Sequence, residues 1–243
     1  MKKSKKNSSK ISQCSHGISI GDTTNFVKTY NIASRLYDYF CKSEDKNEEI
    51  INYIRRFCNI AETVALDIGC GTGKYTNILA RYCKEVIGVD PSNEQLQFAR
   101  KTAKKLKIIN VKYIKGVGEN IPLPRNFVNL IIITWVTMCS QCSFKEMERV
   151  LKTEGFIVRV SPYRKDHLTS LFPNLNISKM KRNNKWFKDR GFKTVYRKII
   201  ISFSTIKESK NILSKVIGAK RNKINRRVFN HYVVVQTHGS KKH

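Results

Sequence analysis

No apolar run in this chain approaches about 18 residues, so nothing in it reads as a membrane span. The basic stretch Met1 to Lys10 is followed by polar Ser, Gln and His, not by the apolar core of a secretory signal. Cysteines are present but unpatterned. The seven, at 14, 41, 58, 70, 83, 139 and 142, are odd in number and lack disulfide-like spacing, which favours a reducing compartment and a cytoplasmic location. Acid is scarce: 18 Asp and Glu stand against 47 Lys and Arg, a net charge of +29. Biased composition would spread that excess evenly, yet residues 161–243 hold 21 cations against 3 acids, a net of +18. Residues 31–160 hold 20 against 14, a net of only +6. With 243 residues the chain can bury a sizeable core and reads as one α/β domain.

What is present begins at Val64. The apolar run to Ile68, with Asp67 near its end, reads as a buried strand entering Gly69-Cys70-Gly71-Thr72-Gly73 and then a helix from Lys74 to Tyr82. Glycines on alternate residues permit a tight turn and close approach of backbone to a ligand. The following helix points its amide-rich end at the same place. The spacing is not the Gly-x-Gly-x-x-Gly of a dinucleotide site. Nor is it a phosphate-cradling loop, since Gly73-Lys74 is followed by Tyr75 and not by Ser or Thr. A second apolar run, Val86 to Val89, ends in Asp90, about 20 residues beyond the loop, where a carboxylate can bond a ribose diol.

With these residues the chain resembles the class I S-adenosylmethionine-dependent methyltransferases, most closely their type 11 branch. Further blocks fall in family order over residues 60–163. Asn110 to Lys115 is similar to the third strand, and Gly116-Val117-Gly118-Glu119-Asn120-Ile121-Pro122-Leu123 to the turn after it. Leu130 to Thr134 matches the fourth strand, Phe144 to Leu151 a helix, Arg149 to Gly155 a turn, and Phe156 to Ser161 the fifth strand. Lys193 to Ser202 and Val228 to Gln236 stand where the sixth and the antiparallel seventh belong. The resemblance implies a Rossmann-like α/β fold with a seven-stranded, mostly parallel sheet and helices on both faces. It implies S-adenosylmethionine as cofactor, held by Asp67, Gly69, Cys70, Gly71, Gly73, Asp90, Pro91, Val117, Gly118, Glu119 and Thr134. Tyr30 and Tyr37, on a helix expected over Asn25 to Phe40, either close over the methionine end or are packing residues.

The chain departs from the family pattern at three points. Val117 replaces an acid that meets adenine, Asn129 an acid at the head of the fourth strand, and Thr153-Glu154 a Pro-Gly pair. The paired histidines of tRNA wobble-uridine methyltransferases are absent after the fourth strand, although the glycine loop is similar to theirs. Asn/Asp-Pro-Pro-Tyr, the signature of enzymes that methylate exocyclic amines, is also absent; Thr134-Trp135-Val136-Thr137 stands there. No metal site is expected: Cys139-x-x-Cys142 has neither a second pair nor nearby His ligands. No catalytic residue is assigned beyond the candidate His167, which is either a base past the fifth strand or an exposed loop histidine.

The basic third offers the rest. Tyr163-Arg164-Lys165, Lys185-Trp186-Phe187-Lys188 and Tyr196-Arg197-Lys198 pair rings with cations, as a base-stacking, phosphate-gripping surface does, although Trp186 fits a core position equally well. Lys220, Arg221, Lys223, Arg226 and Arg227 form the densest cluster and are candidates for substrate phosphate. RNA is therefore the expected acceptor, with tRNA included. The alternatives are a small-molecule acceptor, with the charge purely compositional, and an inactive cofactor-binding partner protein. A partner subunit that completes the site is also open. The expected layout is a basic tail over 1–22, a methyltransferase domain over 23–236 and a tail over 237–243. The domain divides into a cofactor half near 60–163 and a basic part over 164–236, with an irregular or helical insertion from Asp166 to Lys185.

Overall fold

The computed structural model describes residues 34–136, 140–173 and 175–239. The expected N-terminal tail, Tyr30 and Cys139 lie outside the described residues. The strands are β1 (Val64–Ile68), β2 (Glu85–Asp90), β3 (Val111–Lys115), β4 (Val128–Thr134), β5 (Leu151–Pro162), β6 (Lys193–Ser202) and β7 (Val228–His238). They form one sheet in the order β3-β2-β1-β4-β5-β7-β6. β7 is antiparallel to both of its neighbours, and the remaining pairs are parallel. The seven-stranded, mostly parallel sheet expected from the sequence is therefore present. The chain steps outward from β1 in one direction and from β4 in the other, so the crevice outside their carboxyl ends is the topological switch point, where such sheets bind ligands.

Helices cover the sheet because its central strands are apolar on both faces. Alternation divides β1 and β4 cleanly. Ala65, Leu130 and Ile132 face Ile50, Ile51 and Ile54 of α2 (Glu49–Phe57) and Leu79 of α3 (Lys74–Leu79). Leu66, Ile68, Ile131 and Ile133 face Met147 and Val150 of α5 (Ser140–Val150) and Phe187 of α6 (Ile177–Lys188). The remaining long helix on the cofactor side, α4 (Asn93–Lys105), starts at Ser92, whose hydroxyl accepts from Gln95 N–H at 3.2 Å as an N-cap. Among the described residues no helix is long and apolar enough to cross a membrane.

A third, smaller core sits beyond the carboxyl edge. α1 (Ser34–Ser43), the 3₁₀ turn Thr169–Leu171 and α7 (Ile206–Val216) gather Phe40, Leu168, Leu171, Phe203, Ile212, Leu213 and Phe229. Tyr39 of α1 donates to Glu208 of α7 and ties the two helices. They form a cap over the ligand side of β5, β7 and β6.

Several boundaries move. α3 ends at Leu79 and continues to Tyr82 only as turns. β5 begins at Leu151, not Phe156: the expected turn at Thr153-Glu154-Gly155 is strand, with a register shift between Val128 and Leu130 that absorbs the extra residues. β7 runs to His238, with Thr237 buried, two residues past its expected end. Asn129 has a structural use in place of the missing acid, since its Oδ1 accepts from the first amide of β1, Val64 N–H, at 3.1 Å.

One buried charge joins the cofactor half to the basic part. Arg159 of β5 is 5% exposed and lies over the Phe187 ring at 4.5 Å. It donates to Asn184 Oδ1 at 2.8 Å and to Gln236 Oε1 at 2.6 Å, with no carboxylate among those partners. Burial lowers its pKa to about 10. Gln236→Leu leaves that guanidinium short of an acceptor and is expected to cost about 2–3 kcal/mol in urea unfolding, with β-sheet content unchanged.

Candidate functional site

Gly69, Gly71 and Gly73 all take left-handed backbone, at φ 72°, 52° and 80°. They differ in what surrounds them. A Cβ at Gly69 would lie 2.4 Å from Val136 Cγ2, and one at Gly73 would lie 2.5 Å from Tyr113 Oη. These two are required by packing. A Cβ at Gly71 would meet only Tyr37 Cε1, at 3.6 Å. Gly71 is thus the glycine that opens onto ligand space, and Tyr37 of α1 lies over it. The side chain of Cys70 turns the other way, into a cluster with Leu96, Ala99, Ala103 and Tyr113, so only its backbone faces the loop. Lys74, one residue past the loop, is engaged by the end of α1. Its Nζ donates to Glu44 O and sits 3.6 Å from Glu44 Oε2, tying α1 to α3.

The two carboxylates named from the sequence lie at the carboxyl ends of β1 and β2. Asp90 Oδ2 accepts from Gly71 N–H at 2.9 Å, and its Oδ1 accepts from Ser92 N–H at 2.9 Å. Burial raises its pKa and those two amides oppose the rise. Asp67 is 1% exposed; its Oδ2 accepts from Thr76 Oγ1 at 2.7 Å, while Oδ1 is buried with no partner among the described residues. Burial pushes this carboxyl up to about 7, with the Thr76 hydroxyl opposing and the nearby Asp90 charge adding to the rise. An orphaned buried acceptor costs free energy until something bonds it. A ligand ammonium, directly or through water, is such a partner.

The adenine side follows from β3. Val117 and Asn120 close a tight turn, Asn120 N–H donating to Val117 O at 3.1 Å, and leave Val117 42% exposed as an apolar platform. Glu119 accepts from Ser143 Oγ at 3.0 Å and fixes that turn to α5. Gly118 is buried within the turn, Thr134 is buried at the end of β4, and Pro91 is exposed just past Asp90.

The acceptor side holds a group that the sequence did not expose. His231, 2% exposed on β7, bonds through Nδ1 to Asp166 Oδ2 at 2.9 Å. Burial opposes the Asp166 charge, but bonds from His231, Thr169 and Tyr232 outweigh it and hold the carboxyl down to about 2. The imidazole lies 5.4 Å from the Trp135 ring. Trp135, immediately past β4, has φ 63°, strained for a bulky residue at the mouth of a site. His167, by contrast, is exposed on the cap, where Arg226 Nη1 donates to its Nδ1 at 2.8 Å. Lys220, Arg221, Lys223 and Arg227 are exposed on the same cap. The visible signal for His231 was a histidine at an inward position of an apolar strand, and strand alternation alone could have flagged it.

Residues 66–159 match the model of a methyltransferase domain. Over that segment the chain is similar to methyltransferase domains of the type 11 kind. A Dictyostelium discoideum protein described as a methyltransferase is 32% identical over 139 residues, covering 56% of this chain and 49% of its own. The chain spans about half the length, or less, of the curated relatives it matches first. Among solved structures, the YcgJ protein of Bacillus subtilis superposes with TM-score 0.58 at 19% identity, over 81% of this chain and 100% of that one. A methyltransferase from Haloferax volcanii, solved in complex with the Trm112 methyltransferase activator, does so at 0.56 and 13%, over 89% and 98%.

The domain's loop residues fit the cofactor: the bare face of Gly71, the paired Asp90 and the orphaned Asp67 oxygen lie where a nucleoside with a charged amine needs them. Gly71→Ala, strained at φ 52° but free of a clash, is expected to lower the melting temperature less than Gly73→Ala does and to lower cofactor affinity at least ten-fold in calorimetry. The folded Asp67 carboxyl titrates near 7 against an ordinary 3.8. The unfolded state therefore ionises first, and the ligand-free protein should lose stability as pH rises from about 4 to about 7. Asp67→Asn should flatten that slope in a series of unfolding titrations.

Proposed function

We propose that this chain is a methyltransferase that transfers the methyl group of S-adenosylmethionine to RNA. The observation that carries the reading is where the positive charge lies. The cap that bears Lys220, Arg221, Lys223, Arg226 and Arg227 stands over the same carboxyl edge as the glycine loop. A polyanion held there would present its acceptor atom to the switch-point crevice. Surface lysines spread over every face would give no such alignment.

When bound, the cofactor supplies an electrophilic methyl group on a sulfonium. The chain's contribution is to bind, orient and exclude water. Asp67 and Asp90 fix the two ends of the nucleoside ligand, Val117 offers apolar contact to the base, and Tyr37 covers the loop. Proximity and alignment of this kind supply much of the rate. No general base is assigned, because transfer to an acceptor atom that carries no proton needs none. His231, locked by Asp166 and covered by Trp135, is read as a fixed wall of the acceptor side, and His167 as part of the cationic cap.

A partner subunit belongs to the same reading. Among the described residues β3 ends the sheet with an unpaired edge, and Ile109, just ahead of it, is 95% exposed. An open edge beside an exposed apolar residue is where a second chain adds a strand. The Haloferax protein's activator makes such a partner a concrete candidate.

The reading is tested by transfer of radiolabelled methyl from S-adenosylmethionine to total RNA, with protein, lipid and small-molecule fractions alongside and Asp67→Ala as blank. Nuclease-sensitive label, lost in the variant, is the expected result. Label confined to the small-molecule fraction would transfer the assignment to that acceptor class and reduce the charge to composition. Arg226→Ala with Arg227→Ala should also flatten the log–log salt dependence of RNA binding by about 1.4, or roughly 0.7 for each phosphate no longer neutralised.

A further inference from the structure

Two of the ring-and-cation runs in the sequence, Tyr163-Arg164-Lys165 and Tyr196-Arg197-Lys198, meet in the fold. β5 ends with Pro162 opposite Val233, which sets Tyr163 beside Tyr232; Tyr163 N–H donates to Tyr232 O at 3.4 Å. β6 places Lys198 opposite Tyr232 and Tyr196 opposite Val234. Alternation then sends Tyr196, Lys198 and Tyr232 to one face of the sheet. Arg197 goes to the other, where its guanidinium lies 4.9 Å over the Tyr53 ring. The Tyr163 and Tyr196 rings are 4.5 Å apart at 46°. The Arg164 guanidinium lies 3.6 Å over Tyr232 and 5.6 Å from Tyr163. Three rings and one planar cation thus make a continuous surface.

That surface is partly open to solvent, with Tyr163 half-buried and Tyr196 exposed. On this face of β7 the exposure rises toward the carboxyl edge: Gln236 is 0% and Val234 1% exposed, Tyr232 is half-buried, and Val228 reaches 42%. Across from it on β6, Tyr196 is 59% and Ile200 42% exposed. Lys198, Arg164 and Lys165 are exposed around the rings. The only acids in residues 161–243 are Asp166, Asp189 and Glu208. Each is already bonded, to His231, Lys185 and Tyr39 respectively. The surface therefore attracts anions and carries no unmatched carboxylate to repel a phosphate chain.

We infer that this face docks unpaired bases of an RNA acceptor, stacked on Tyr163, Tyr196 and Arg164 with Lys165 and Lys198 toward the phosphates. Aromatic rings and guanidinium planes on an exposed sheet suit splayed bases of any sequence, because every base has a π face. A duplex hides those faces, so the site selects single-stranded segments. Tyr163 lies one residue past β5, on the edge that carries the cofactor loop, and the docked strand enters the acceptor crevice from this side. This inference rests on the RNA reading above and adds to it the class of RNA.

The test is fluorescence anisotropy with the full chain, using an unstructured RNA of about 12 nucleotides and the duplex of the same length. Tyr196→Ala and Tyr163→Ala should each weaken single-strand binding about ten-fold. Duplex binding, the salt slope and the melting temperature should stay unchanged. Tyr196→Phe should bind as the parent does, since the ring is what stacks. Tyr196 is the more exposed of the two and carries the test if Tyr163→Ala disturbs the fold. Alanine variants that bind single strands as the parent does would overturn the docking face and leave the RNA reading standing. An equal loss on duplex would overturn the stacking. A parent chain that binds neither RNA would overturn both readings together.

Discussion

The hydrogen bond from the Gly71 amide to Asp90 is the constraint on which the cofactor half depends. It joins the turn after β1 to the end of β2, so the two strands present their carboxyl ends as one rigid rim. Its cost is a backbone that runs left-handed at three alternate residues, and glycine alone takes such positions without steric penalty. Once the rim is set, Asp67 and Asp90 lie buried on either side of the loop with little freedom. Desolvation raises the pKa of both carboxyls, and at Asp67 the nearby Asp90 charge adds to the rise.

A second arrangement is built against this rim. Lys74 leaves the loop and ties down Glu44 at the end of α1, which lays Tyr37 over Gly71. The Gly-Lys pair resembles a phosphate grip in sequence but serves as a strut. Across the crevice, Asp166 is satisfied by His231, Thr169 and Tyr232 together, and so fixes the start of the cap to β7. The two sides of the crevice are thus each anchored by a buried ion pair, Lys74 with Glu44 and His231 with Asp166.

The sheet and the cofactor loop were legible because their signals are local. Alternation, glycine spacing and a carboxylate at a strand end each lie within a few residues of what they determine, and β1, β3 and β6 fall within a residue of their expected bounds. The acceptor side was not legible, because its parts are far apart in the chain. Asp166 and His231 meet only when β7 pairs with β5, and nothing near either residue announces the other. His167 and Arg226 were noticed separately and for different reasons, yet they are hydrogen-bond neighbours. The ring-and-cation runs were visible, but strand alternation splits one of them across two faces, and only the paired register shows which half is exposed. β5 started early because a β-bulge is a tertiary accommodation that local propensity does not encode.

The cap has a consequence of its own. Its core of Phe40, Leu168, Leu171, Phe203, Ile212, Leu213 and Phe229 is separate from the two layers that clothe the central strands. A small core set apart in this way can open locally at less than the free energy of global unfolding. Because Tyr37 and the tether of Glu44 to Lys74 belong to α1, any opening of the cap would also draw Tyr37 off Gly71 and so couple the two sides of the crevice.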